Sequence, residues 1–186
     1  MKKEALFTAL DYVNHSREKR QEMATLVLAD TRLIKPLITI AFSEQNKISS
    51  RACWVLEFLV KENLSLLFPY LDVFTASLHK IKLDSSVRPM AKICEILMKS
   101  YFSKKETESK KHLTTSHLEA ITTHCFDWLI GEHKVAAKAY SMTSLLLLGR
   151  KFDWIYPELR LILEQNYASG SVAYKARARL TLKKIK

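Results

Sequence analysis

The chain has 186 residues and carries a formal charge of +11, from 30 Lys plus Arg against 19 Asp plus Glu. Its 48% apolar and 26% charged residues are ordinary for a folded chain, so disorder is excluded and one domain with an unstapled core is expected over 1–186. Only three glycines leave no phosphate-cradling loop, and the basic excess favours anionic partners.

Apolar residues recur at three- and four-residue steps almost throughout, the pattern of amphipathic helices. Caps and breakers then delimit about ten of them. In chain order they span 3–14, 17–29, 32–44, 48–62, 66–80, 86–103, 117–130, 133–149, 156–167 and 171–185. Ser116 with Glu119 has the spacing of a capping box, and Gly131 and Gly149 stand where helices should stop. The segment FSKKETESKKHLTTS, 102–116, has no apolar stripe after Phe102, so 103–116 is expected to be a solvated loop. Glu4 and Asp11 interrupt any signal-like apolar run at the start, and Leu145–Leu148 is too short to cross a bilayer. These features point to a cytoplasmic chain with no membrane insertion.

Cys53, Cys94 and Cys125 are odd in number, far apart and set in apolar helical runs. That predicts buried reduced thiols rather than a disulfide framework. His117, His124 and Cys125 fall on one helix, but no acidic or further thiol partner stands at ligand spacing, so no metal is predicted. No cofactor motif and no catalytic residue are identified.

Four segments share an aliphatic residue followed four places later by alanine: Ile48 with Ala52, Val87 with Ala91, Val135 with Ala139, and Val172 with Ala176. Successive copies lie 39, 48 and 37 residues apart. Three are preceded by apolar-x-Pro-x-apolar, centred on Pro36, Pro69 and Pro157, and proline is tolerated in a first helical turn. A helix pair thus repeats, its second member carrying the alanine stripe.

This pattern resembles the HEAT and armadillo-like repeats from about Thr31 to Lys186, with residues 1–30 as a shorter capping pair. The resemblance implies an all-α fold, an α-solenoid of about five helical hairpins whose concave face is lined by second helices. FDWLIGE at 126–132 and FDWIYPE at 152–158 do not share a phase within this unit. Their echo reads as two separate aromatic plugs at inter-helix turns.

In the repeat register, the position before the stripe alanine holds Arg51, Met90, Lys138 and Lys175; the position after holds Cys53, Lys92, Tyr140 and Arg177. Arg51, Lys92, Lys138, Lys175, Arg177 and Arg179 are therefore the expected contacts for an anionic partner, with Lys183, Lys184 and Lys186 adding charge to the last helix. The expected function is a non-catalytic binding or scaffolding module, monomeric, that holds an acidic protein or, second, a nucleic-acid backbone. A further resemblance, to the HEAT-like alkylpurine DNA glycosylases, implies a groove with tryptophans and an acid around a damaged nucleotide. The residues of those types are Trp54, Trp128, Trp154, Asp127 and Asp153, although the Trp-x-x-x-Asp pair of that family is replaced here by Glu132 and Glu158.

Overall fold

The computed structural model describes residues 3–44 and 46–185; Lys186 and the first two residues lie outside them. Among the described residues every regular element is helical, and the α-helices number eleven. Backbone contacts divide the chain into two compact units, Met1–Ile93 and Cys94–Lys186. The sequence reading treats 1–186 as one domain; the division falls inside a single long helix.

In the first unit, α1 (Lys3–Ala9) runs into a 3-10 turn over Leu10–Tyr12, followed by α2 (Arg17–Ala29). Ser16 caps α2, its Oγ accepting the N–H of Lys19 at 3.3 Å. A 3-10 turn leads into α3 (Ile34–Ala41), and Pro36 sits in its first turn, where no intrahelical bond is lost. Asn46 then caps α4 (Lys47–Glu62) in a reciprocal box with Ser49. Helix α4 is buried all round from Ser49 to Val60, which makes it the axle of this unit, and it packs against α2 and α3.

A single helix over 66–80 is expected from the apolar period. The structure breaks it into a 3-10 stretch Leu64–Tyr70, α5 (Leu71–Ser77) and a 3-10 turn Leu78–Lys80. Pro69 lies inside the first piece; its missing N–H and its ring oppose a continuous α-helix there. The long helix α6 (Asp84–Tyr101) contributes to both units.

The second unit contains α7 (Glu108–His112), α8 (Thr115–Ile130), α9 (Val135–Leu148), α10 (Ile155–Gln165) and α11 (Val172–Leu182). Helix α9 is its centre, touching α8, α10 and α11. The segment expected as a solvated loop over 103–116 is instead pinned down and carries α7. Thr107 Oγ1 donates to the carbonyl of Ser100 at 2.9 Å, Ser109 Oγ to Ser100 Oγ at 2.7 Å, and Ser109 and Leu113 are buried. Ion pairs Lys111–Glu108 and Lys110–Glu106 brace the solvent side. Charge composition alone does not reveal these short hydroxyl contacts.

The capping box of α8 also differs from expectation. Thr114 is the cap, its Oγ1 accepting the N–H of His117 while His117 Nδ1 accepts the N–H of Thr114. The helix therefore starts two residues before the predicted one, and His117 is a capping group. Gly131 and Gly149 follow α8 and α9 directly, as predicted. At Gly149 the reason is space: a Cβ would come within 2.1 Å of the Tyr156 ring.

All three cysteines are free and buried. Burial pushes the Cys53 thiol up to about 12. Native protein is accordingly expected to resist iodoacetamide at pH 8 at Cys53, Cys94 and Cys125 and to be labelled fully in denaturant, read by intact mass. Native labelling at Cys53 would contradict this. The unfolded Cys53 thiol ionises near 9 while the folded one holds its proton to about 12, so this group lowers stability as pH rises through that window.

Candidate functional site

The register of the alanine stripe decides which cations face solvent. Ala52 and Ala91 are fully buried, as the repeat predicts, but Ala139 is half-buried and Ala176 is exposed. On α11 the buried residues are Tyr174, Ala178 and Thr181, two positions out of the predicted register, and Val172 is 87% exposed. The same offset occurs on α9, where Ala137 and Ser141 are buried. The four sequence copies are therefore not four equivalent positions.

The proposed contact residues separate accordingly. Arg51 is interior: its side chain is 8% exposed and its Nη1 donates to the carbonyls of Leu10 and Asp11 and to the Asp11 carboxylate. It ties the turn after α1 to α4, and its place beside the buried Ala52 removes it from any partner surface. Lys92 is half-buried in the first unit. In the second unit Lys138 and Lys175 are half-buried, and Arg177 and Arg179 are exposed. Arg179 Nε donates to Tyr167 Oη at 3.4 Å. No Asp or Glu follows Glu164, so the charge of α11 and the residues after it is uncompensated by its own segment.

One cleft of the second unit, about 330 Å³, gathers the polar ends of two helices. His133, Val135 and Lys138 line it from the start of α9, Asn166 from the end of α10, and Ser169, Gly170, Ser171 and Tyr174 from around the start of α11. Helix α9 has no side-chain cap at Lys134, and the Ser171 Oγ at the start of α11 accepts the N–H of Tyr174 at 3.3 Å. In the first turn of α9 the Ala137 N–H donates to the Lys134 carbonyl at 3.0 Å, while the amides of Val135 and Ala136, and of Val172 and Ala173 on α11, have no intrahelical acceptor. No carboxylate lines the cleft. Tyr174 is 5% exposed, yet its hydroxyl is buried without a hydrogen-bond partner.

The first unit has a cleft of about 370 Å³ with a different character. His15 packs on Trp54 with ring centroids 4.9 Å apart, and the Arg20 guanidinium lies 5.8 Å from the Trp54 ring and 5.2 Å from Phe58. Several of its polar groups are already engaged in hydrogen bonds. Ser50 Oγ bonds Ser85 and Ser86 Oγ at 2.8 and 2.9 Å, and Trp54 Nε1 donates to the carbonyl of Ser85 at 2.6 Å.

That indole bond also settles the place of Trp54, which is 9% exposed; Trp128 is 3% exposed. Both belong to the interior of their units. Trp154 is 55% exposed, and its ring stacks on Phe126 at 5.8 Å and 22°. The two FDW motifs, read in the sequence as separate plugs, thus meet through one residue of each. Asp127 and Asp153 are exposed, and Asp127 lies 3.3 Å from His124 Nδ1. No family model, curated protein or solved structure matches the chain. Among the described residues no cluster of His, Cys, Asp and Glu could hold a metal, and no helix is long and apolar enough to cross a membrane.

Sequence reasoning missed the cleft at the starts of α9 and α11. One signal was present: Ser169-Gly170-Ser171 before an apolar helix start is a capping and turn pattern. The partner half, His133 to Lys138, comes from 30 residues earlier and carries no matching local mark.

Proposed function

We propose that the chain is a non-catalytic, cytoplasmic binding or scaffolding module of stacked helical hairpins, an α-solenoid, whose basic surface holds an acidic macromolecule, protein ahead of nucleic acid. The packing order supports the hairpin reading. In the first unit α1 touches α3, α2 touches α4, and α3 pairs with α4; in the second, α8 pairs with α9, α10 with α11, and α9 touches α11. The contacts of α1 with α3, α2 with α4 and α9 with α11 join like members of successive hairpins, as in a repeat stack, while α10 packs more on α9 than on α11.

The observation that carries the functional reading is the cationic last segment of the second unit, which holds no acid of its own and meets Glu164 only in the hollow that it shares with Arg179 and Lys183. Lys175, Arg177 and Arg179 are at least partly open to solvent on a segment that holds no acid, and Lys138 lines a cleft that holds none. Clustered like charge of this kind concentrates anionic partners at the surface and speeds their encounter. Arg51 is not part of this set, because its guanidinium is engaged inside the first unit. Few aromatic side chains accompany the cations, which favours an extended acidic polypeptide over base-stacked single strands.

The test is retention on immobilised polyglutamate and on immobilised duplex DNA, compared for wild type and the double variant Lys138→Glu, Lys175→Glu. Wild type is expected to be retained on polyglutamate at low salt and released as salt rises. The double variant is expected to flow through with its helical circular dichroism unchanged. Equal retention of the two proteins would refute the reading.

A further inference from the structure

We propose that the paired hollows between α10 and residues 179–185 dock an extended acidic peptide segment of a protein partner, one that carries two apolar side chains among its carboxylates. This deepens the reading above and rests on it for the sign of the partner's charge; the apolar anchors and the place are its own.

Helix α10 buries Ile155, Leu159 and Leu163 on one face. Leu161 stands two residues from both Leu159 and Leu163, about 200° round the helix, so it points away from that face. It is 50% exposed, and Pro157, one turn earlier, is exposed as well. Packing of the core does not account for an apolar strip on the outer side of a helix.

That strip is one wall of a groove. Leu161, Arg160 and Ile185 line a hollow of about 350 Å³, and Tyr167, Leu182, Arg179 and Lys183 line a second of about 560 Å³. Glu164 borders both, so the two abut. Hydrogen bonds tie the walls together: Arg160 Nη2 donates to the Ile185 carbonyl at 3.3 Å, and Arg179 Nε donates to Tyr167 Oη at 3.4 Å. The groove is thus formed before any partner arrives, which lowers the cost of binding. Leu161 and Tyr167, one in each hollow, lie about 9 Å apart along α10 and the turn that ends it. Residues three apart on a polyproline-II strand stand on one side at that same separation, about 9 Å.

The polar rim is cationic. Arg160, Arg179 and Lys183 stand against one carboxylate, Glu164, which lies 3.9 Å from Arg160 Nη1. Arg177 and Lys184 are exposed on the same acid-free segment. Long cationic side chains lay their methylene stems along apolar surface and keep their heads in water, which suits apolar anchors flanked by carboxylates. Complementary charge then selects the partner and speeds its encounter, while the anchors supply the affinity. The same charges oppose a second copy of this chain, because a two-fold contact through the groove sets Arg179 and Lys183 against their own counterparts.

The experiment titrates three short peptides of equal length into ¹⁵N-labelled full chain, following amide shifts. One carries two leucines three residues apart among glutamates, one is glutamate throughout, and one replaces every glutamate of the first by lysine. Shifts with the first are expected to concentrate at Leu161, Glu164, Tyr167, Leu182 and Lys183, and its affinity should exceed that of the all-glutamate peptide by about tenfold. The lysine peptide is expected not to bind. Leu161→Ser should weaken the first peptide by about tenfold and leave the all-glutamate peptide and the circular dichroism unchanged. Lys183→Gln should weaken both acidic peptides by roughly threefold, while Lys151→Gln on an exposed turn changes neither. Equal affinity for the two acidic peptides, shifts spread over the basic surface, or no effect of Leu161→Ser would overturn the proposal. Dimerisation in sedimentation, or co-sedimentation with phosphatidylserine vesicles, that Leu161→Ser abolishes would give the groove another occupant and overturn it too. Polyglutamate retention that is lost in the charge-reversed double variant, without any preference for the leucine peptide, would leave the broader reading standing and this one refuted.

Discussion

Arg51→Ala is expected to lower the free energy of unfolding by about 1–3 kcal/mol, the range for removing a buried donor and leaving its backbone acceptors short of a partner. Arg51 stands on the buried face of α4 and reaches back to the turn that ends α1, where its Nη1 serves the carbonyls of Leu10 at 3.3 Å and Asp11 at 2.6 Å. Leu10 is fully buried, so its carbonyl loses a donor that water does not readily replace. The Asp11 side chain is 69% exposed and returns to solvent at little cost. The loss is thus dominated by the carbonyls, and Arg51→Lys should recover part of it. Chemical denaturation with an unchanged m-value reads the effect, because the same surface is exposed on unfolding. A loss below about 0.5 kcal/mol, the scale of an ordinary surface substitution, would show the arginine to be a surface group after all. The folded fraction should still be retained on polyglutamate, which separates this residue from Lys138 and Lys175.

The second large effect is expected at Glu57, a carboxylate 1% exposed in the middle of α4. Arg88 reaches it from α6 with Nη2 at 2.6 Å and Nη1 at 3.4 Å, and Lys61 reaches it from the next turn of α4 at 2.5 Å. Arg88→Met leaves this buried charge with only a partly exposed lysine and should cost about 2–3 kcal/mol, less than for a fully buried pair because Arg88 keeps some solvent contact. Glu57→Leu combined with Arg88→Met removes the charge as well as its partner. The double variant is expected to be more stable than Arg88→Met alone, since replacing a buried pair by apolar groups is often neutral. A double-mutant cycle by urea denaturation measures the coupling. Strict additivity would mean that the two groups do not depend on one another.

These residues show why the fold was more legible than the site. Helix positions follow from local properties: the three-and-four period of apolar side chains, the scarcity of glycine, and stops such as Gly131 and Gly149. A helix satisfies most of its own backbone, and the sequence placed α2, α4, α6, α8, α9 and α10 to within about two residues at each end, while α1, α3 and α11 end earlier than expected. The exceptions have local causes, such as Pro69 dividing 66–80, or short-range hydroxyl bonds such as Ser109 to Ser100 that hold α7 within a charged segment.

Facing was harder. Val172-x-x-x-Ala176 and Tyr174-x-x-x-Ala178 are both acceptable apolar stripes on the same helix, and the sequence reading chose the first. Packing within the second unit buries the other, because the neighbours of α11 present their apolar surface to that side. A two-residue error on a helix turns a side chain through about 200°, enough to exchange inner and outer faces. The inferences about Lys138 on α9 and about Lys175 and Arg177 on α11 inherited this error, while Ala52 and Ala91 are buried as the register requires.

The amino-acid sequence by itself determined that the chain is helical, where most helices begin and end, that its thiols are interior, and that its charge is strongly basic. Tertiary structure decided which cations are available: Arg51 pairs with a turn forty residues earlier, while Lys138 joins a cleft whose other wall begins near Asn166. The physical reason is range. Helix formation is governed by neighbours within a turn or two, whereas exposure and hydrogen-bond partnership depend on residues that only folding brings together.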